Sequence, residues 1–169
     1  AYEGGLDIAV EALVKETALA RTAIIEITGG EPLLQAAFPE LATALRDGAD
    51  GRPVLVETNG SRDLSVVPDG VTAIVDVKSP GSGEGKSFDM ANLARLRPSD
   101  EVKFVLTDRP DYEWARDFLN LHGLAARCRA VLFSPAWGAL TAGDLGRWIL
   151  EDRLPVRLQL QLHKVLGMR

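Results

Sequence analysis

The chain has 169 residues, 46% of them hydrophobic, a formal net charge of −5 and one cysteine, Cys128. That is one domain's worth of chain, residues 1–169, with enough apolar residue to bury a core. It lacks the basic stripe of a nucleic-acid binder, any apolar run near the ~20 residues that span a bilayer, a signal-peptide pattern and a disulfide framework, so it reads as a soluble, cytoplasmic protein that binds neither nucleic acid nor membrane.

Val10, Leu13, Val14 and Thr17 recur at helical spacing, with Asp7 placed to cap. Ala23 to Thr28 is strand-like and runs into Gly29-Gly30-Glu31-Pro32. A second helical stretch carries Leu34, Phe38, Leu41 and Leu45 and stops near Gly48, with Pro39 expected to kink or split it. Strands follow over Pro53 to Glu57 and Ala73 to Val77, and Ser87 is placed to cap a short helix through Arg97. Glu101 to Leu106 is a strand, Asp111 to His122 a helix closed by Gly123, and Ala130 to Phe133 a strand. Thr141 and Asp144 open a helix through Asp152 as a capping box. Val156 to Leu162 alternates strictly and predicts a last strand. About six strands, mostly separated by helices, predict an α/β fold with a largely parallel sheet or an incomplete barrel.

Parallel strands put all their C-terminal ends on one rim, where ligands bind. Polar and glycine residues follow most of these strands: Thr28-Gly29-Gly30-Glu31, Glu57-Thr58-Asn59-Gly60, Lys78-Ser79-Pro80-Gly81, Thr107-Asp108, Ser134-Pro135 and His163-Lys164. Gly29 and Gly30 bare the backbone to a ligand, Glu31 offers a carboxylate to an ammonium group, and Pro32 suits the first turn of a helix. A plain strand-to-helix turn accounts for the same four residues. Glu57 fits either a turn cap or a polar contact, and His163 either a ligand contact or a solvated side chain. Lys103 and Asp108 read as structural charges and His122 as a partner of a helix C-terminus. Cys128 reads as an incidental thiol whose neighbours Arg127 and Arg129 would lower its pKa.

Gly29-Gly30-Glu31-Pro32 after a strand resembles the motif by which radical S-adenosylmethionine enzymes hold the methionine amino group. The tail Val156-Arg157-Leu158-Gln159-Leu160-Gln161-Leu162-His163-Lys164 resembles the C-terminal strand of the 7-carboxy-7-deazaguanine synthase family. Glu57-Thr58-Asn59-Gly60 and Phe133-Ser134-Pro135 fall where that family carries similar stretches, and the likeness begins at Ala1-Tyr2-Glu3-Gly4-Gly5. The resemblance implies an incomplete parallel (β/α) barrel of the radical type and a lyase. That enzyme converts 6-carboxy-5,6,7,8-tetrahydropterin to 7-carboxy-7-deazaguanine, in queuosine and deazapurine biosynthesis, through a 5′-deoxyadenosyl radical. It further implies that Gly29, Gly30, Glu31, Ser79, Pro80 and Gly81 contact S-adenosylmethionine, that Thr28 and His163 contact the pterin, and that Glu57 lies near the reacting carbon. Many members carry lysine after the Ser-Pro where this chain has Gly81. An external one-electron reductant such as flavodoxin and a homodimer are further expectations.

The family's 4Fe–4S cluster is held by a CxxxCxxC loop, followed by an Asp-Thr that helps bind Mg2+. This chain has neither, and so no metal ligands of its own in this scheme. The reading from resemblance is that the sequence begins just past that loop, with the N-terminal part of the barrel missing, and is an inactive fragment. Two alternatives stand beside it: another radical enzyme, such as a glycyl-radical activase, and a cluster-less, non-catalytic relative that binds a pterin or S-adenosylmethionine.

Overall fold

The computed structural model of the protein describes residues 6–85 and 87–167, so the Ala1-Tyr2-Glu3-Gly4-Gly5 start lies outside the described residues. Six strands form one sheet: β1 (Ile25–Ile27), β2 (Val54–Thr58), β3 (Val71–Asp76), β4 (Glu101–Leu106), β5 (Ala130–Pro135) and β6 (Arg157–Leu158). They lie side by side in chain order, and every neighbouring pair is parallel. A parallel sheet whose order never reverses is an arc of a (β/α) barrel, as expected.

Alternation divides the strands into two faces. Val54, Val56, Ala73, Val75, Val102, Phe104, Leu106, Val131 and Phe133 share a core with Ala42, Leu45, Tyr112, Ala115, Leu119, Leu145 and Ile149. The last seven come from α2 (Phe38–Asp47), α3 (Arg109–His122) and α5 (Ala142–Glu151), which therefore cover one face of the sheet. The other face carries charge: the pairings Glu26↔Leu55, Glu57↔Ile74, Ile74↔Glu101, Asp76↔Lys103, Lys103↔Leu132 and Leu132↔Arg157 place Glu26, Glu57, Asp76, Glu101, Lys103 and Arg157 along it, among Leu55, Ile74 and Leu132.

Several elements differ from the sequence reading. α1 (Val10–Leu19) begins after Ala9 with no side-chain cap, so Asp7 does not cap it. Pro39 does not interrupt a helix: it lies in the first turn of α2, where its missing N–H is not needed, and a separate 3-10 turn covers Pro32–Leu34. Asp89, not Ser87, caps the 3-10 turn Met90–Ala94 by accepting from the Ala91 N–H. The last strand shrinks to two paired residues, because β6 lies at the edge of the sheet. Leu158, Leu160 and Leu162 are 42%, 39% and 60% exposed, and Leu162 opens α6 (Leu162–Val165). No helix among the described residues is long and apolar enough to cross a membrane.

Candidate active site

The loops after β1, β2 and β3 share the rim at the strands' C-terminal ends. Gly29 and Gly30 adopt φ of 101° and 59°, and no other residue's atom lies within 4 Å of where their side chains would begin. Their peptide groups thus border open space, and Thr28 and Gly29 line a cavity of about 510 Å³ beside α1.

Glu31 turns inward. It is 7% exposed. Its Oε1 accepts from the Thr58 hydroxyl at 2.7 Å and the Leu33 N–H at 3.1 Å, and its Oε2 accepts from the Asn59 N–H at 2.8 Å. The carboxylate therefore ties the β1 loop to the β2 loop. Asn92 continues the tie: its amide donates to the Gly60 and Arg62 carbonyls, and its Oδ1 accepts from the Leu64 N–H.

After β3, Ser79 is fully buried and its hydroxyl donates to Asp111 Oδ2 at 2.9 Å, whereas Pro80 and Gly81 stay exposed. What this loop offers a ligand is the exposed surface of Pro80 and Gly81, since the Ser79 hydroxyl and the Gly81 N–H are both spent on Asp111.

On the polar face, Lys103 Nζ reaches across β3 and donates to Glu57 Oε1 at 2.6 Å, with the two side chains 14% and 30% exposed. Partial burial, then the Glu57 charge, pushes the Glu26 carboxyl above its ordinary range, against the opposing pull of Lys103. Asp76 pairs through Oδ2 with Lys78 at 2.8 Å. Asp76 Oδ1 and Ser134 Oγ are buried without a partner among the described residues. Leaving buried polar atoms without partners costs free energy at this face.

The structure thus joins Gly29, Gly30 and Glu31 with the β2 loop that follows Glu57, and places Ser79 to Gly81 on the next loop along the rim. His163 stands apart, exposed on α6, with no hydrogen bond or ion pair among the described residues. Glu26, Asp76 and Asp111 escaped the sequence reading as site residues, and Lys103 reads there as a structural charge. For Lys103 the signal was present: in Glu101-Val102-Lys103-Phe104-Val105-Leu106 the alternation sets the lysine opposite the buried Val102, Phe104 and Leu106. Asp108 does have a structural task, since its Oδ1 accepts from the Asp111 N–H at the start of α3. Cys128 departs from expectation: burial first, then the Asp100 charge, pushes its thiol up to about 11, outweighing Arg127.

The residues present fit one of the implied groups. The Gly29-Gly30 backbone borders open space and suits an amino-acid head group, and farther along the rim the exposed Pro80 and Gly81 leave a surface for the rest of a nucleoside-bearing cofactor. A 4Fe–4S cluster needs several thiolates, and the lone Cys128 precedes β5, at the end of the sheet opposite the rim. No group of three His, Cys, Asp or Glu that could hold a metal ion occurs among the described residues. The cluster and Mg2+ are therefore not accommodated by these side chains.

No family model matches the sequence. It is 46% identical to a 7-carboxy-7-deazaguanine synthase of Koribacter versatilis, over 98% of this chain and 78% of that protein. Enzymes of the same name from Chlorobaculum tepidum and Methanospirillum hungatei are 38% and 35% identical, over 98% of this chain and 76% and 68% of theirs. Among solved structures, Streptococcus suis SuiB bound to S-adenosylmethionine superposes with a TM-score of 0.64 at 11% identity, over 91% of this chain and 42% of that longer one. That likeness concerns the fold.

Proposed function

Because this chain belongs to the 7-carboxy-7-deazaguanine synthase family, whose members are lyases, we propose that its rim and polar face serve that reaction. The substrate would be 6-carboxy-5,6,7,8-tetrahydropterin, rearranged with loss of ammonia on the route to queuosine and other deazapurines. The observation that supports this best is the Glu57–Lys103 pair lying on the polar face below the glycine loops. S-adenosylmethionine, when bound, supplies the hydrogen-abstracting radical chemistry.

The chain's own residues bind and orient. The peptide groups of Gly29 and Gly30 hold the amino-acid head of the cofactor, and the Pro80–Gly81 backbone lies along its remainder. Glu31 holds the first of these loops in place through its three hydrogen bonds. Thr28 meets the pterin from the end of β1, and His163 meets it from the tail. Lys103 occupies Glu57 Oε1 and fixes the carboxylate's orientation, leaving Oε2 to face the reacting carbon. Precise placement of the reacting carbon is what a protein contributes to radical chemistry. An external one-electron donor such as flavodoxin and a homodimer belong to the same reading.

The test is an anaerobic assay with the tetrahydropterin, S-adenosylmethionine and a reductant, on this chain joined to a cluster-bearing CxxxCxxC segment, read by the mass of the product. 7-carboxy-7-deazaguanine is the expected product, and Lys103→Met is expected to lower kcat about tenfold or more by leaving Glu57 without its cation. Cofactor binding without turnover of the pterin would instead favour another radical reaction or a non-catalytic binding role.

A further inference from the structure

Asp111 is 2% exposed, and its carboxylate gathers two rim loops from successive strands. Oδ1 accepts from the Gly81 N–H at 2.9 Å. Oδ2 accepts from the Ser79 hydroxyl at 2.9 Å, the Thr107 hydroxyl at 2.6 Å and the Thr107 N–H at 3.2 Å. The side chain leaves the first turn of α3, where the helix N-terminus favours a negative charge, and α3 is itself set in the core through Tyr112, Ala115 and Leu119. The loop after β3 is thereby referenced to the rigid body of the domain.

Gly81 is shaped to this arrangement. A Cβ there would lie 2.6 Å from Asp111 Oδ2, 2.9 Å from Oδ1 and 2.8 Å from the Thr107 hydroxyl. Its φ is not in the left-handed region, so the requirement for glycine comes from the neighbouring carboxylate and not from backbone conformation. With the Ser79 hydroxyl and the Gly81 N–H both committed to Asp111, the surface left for a ligand is the exposed Pro80–Gly81 segment that the carboxylate holds in shape.

We propose that Asp111 is a positioning residue for cofactor binding, holding the Ser79–Gly81 loop in its receptive shape, and that Gly81 is its steric complement. This rests on the assignment of that loop to S-adenosylmethionine. Asp111 does not touch the reacting atoms; it acts through the loop, so its loss is read in cofactor affinity and not in pterin affinity.

The experiment titrates S-adenosylmethionine by calorimetry into the parent protein, Asp111→Asn and Gly81→Ala, alongside amide hydrogen exchange over residues 79–83 and thermal melting. Asp111→Asn keeps the shape of the side chain but loses the charge on four accepted hydrogen bonds, and Gly81→Ala disturbs the loop with Asp111 intact. The expected result is that each variant binds S-adenosylmethionine about tenfold or more weakly, with faster exchange at Gly81 and unchanged pterin affinity. If Asp111→Asn only lowers the melting temperature while Gly81→Ala weakens cofactor binding, the loop assignment survives and the positioning role is overturned. If both variants speed exchange at Gly81 and neither alters cofactor affinity, the loop is not a cofactor contact and the proposal falls with that assignment.

Discussion

Glu31 and Asp111 stand in the same relation to their loops: each is a buried carboxylate aimed at backbone N–H groups and hydroxyls of a neighbouring segment. For Glu31 this adds a structural cost to any change. Glu31→Ala is expected to weaken S-adenosylmethionine binding and also to cost about 2–3 kcal/mol of stability, because the Thr58 and Asn59 donors lose a charged acceptor. Urea unfolding beside a cofactor titration checks both, and unchanged stability would mean the tie between the loops contributes nothing. At Asp111, burial raises the carboxyl pKa, but the hydrogen bonds from Thr107, Gly81 and Ser79 outweigh it and hold the value below the ordinary one. A folded pKa below the unfolded value stabilises the protein above the ordinary carboxylate range of about 4, and that contribution disappears as the pH falls through the folded value. Asp111→Asn should therefore flatten the acid limb of a stability-against-pH curve below about pH 4. Cys128 has the opposite sign: with its thiol raised to about 11, the folded state favours the neutral form, and that preference fades as the pH climbs toward that value. Alkylation at pH 8 should be much slower in the folded protein than in urea, and equal rates would refute the burial argument. None of the Asp111 contacts was legible in the sequence. An acid in the first turn of a helix reads as a partner for the helix dipole, and its loop partners Ser79 and Gly81 lie 32 and 30 residues upstream.

Among the elements, the clearest inter-helix tie is Tyr112, a fully buried residue of α3 whose hydroxyl donates to the Trp148 carbonyl or to Asp152 Oδ2, each at 2.8 Å, both in or next to α5. Tyr112→Phe leaves the ring packing and strands those acceptors, so a loss of about 1–2 kcal/mol is expected, seen as a lower urea midpoint with an unchanged slope. Elements with a signal at both ends were the most legible. β4 matches its expected span because Glu101-Val102-Lys103-Phe104-Val105-Leu106 alternates and is bounded by polar turns, and Gly123 closes α3 with φ of 59° in the left-handed cap the sequence suggested. The tail shows what periodicity leaves undetermined. Alternation in Leu158-Gln159-Leu160-Gln161-Leu162 is a sound strand pattern, yet a strand needs a partner for its backbone, and pairing with β5 covers Arg157 and Leu158 and ends at the Gln159 N–H, which donates to the Phe133 carbonyl. The same limit hid the charged face: the strands were evident, but which of their two faces the helices would cover depends on packing that no local spacing encodes.

For the molecule as a whole, stability should decline from the centre of the sheet to its last edge. β3 and β4 are flanked by strands on both sides, whereas β6 pairs on one side only, through two exposed residues. Hydrogen exchange should therefore be slowest across β3 and β4 and fastest over residues 159–167, and early tryptic cleavage should fall at Arg157 or Lys164; uniform protection would contradict this gradient. The unbroken strand order has a kinetic side as well. Each strand bonds to the one made just before it, so the chain never has to hold a gap open for a segment still to be synthesised. As the polypeptide leaves the ribosome, every new strand meets a finished edge and every crossover helix meets apolar surface already in place. The fold can therefore grow vectorially, and the incomplete edge that tempts a nascent sheet to aggregate is, at each stage, the one that the next few dozen residues are about to cover.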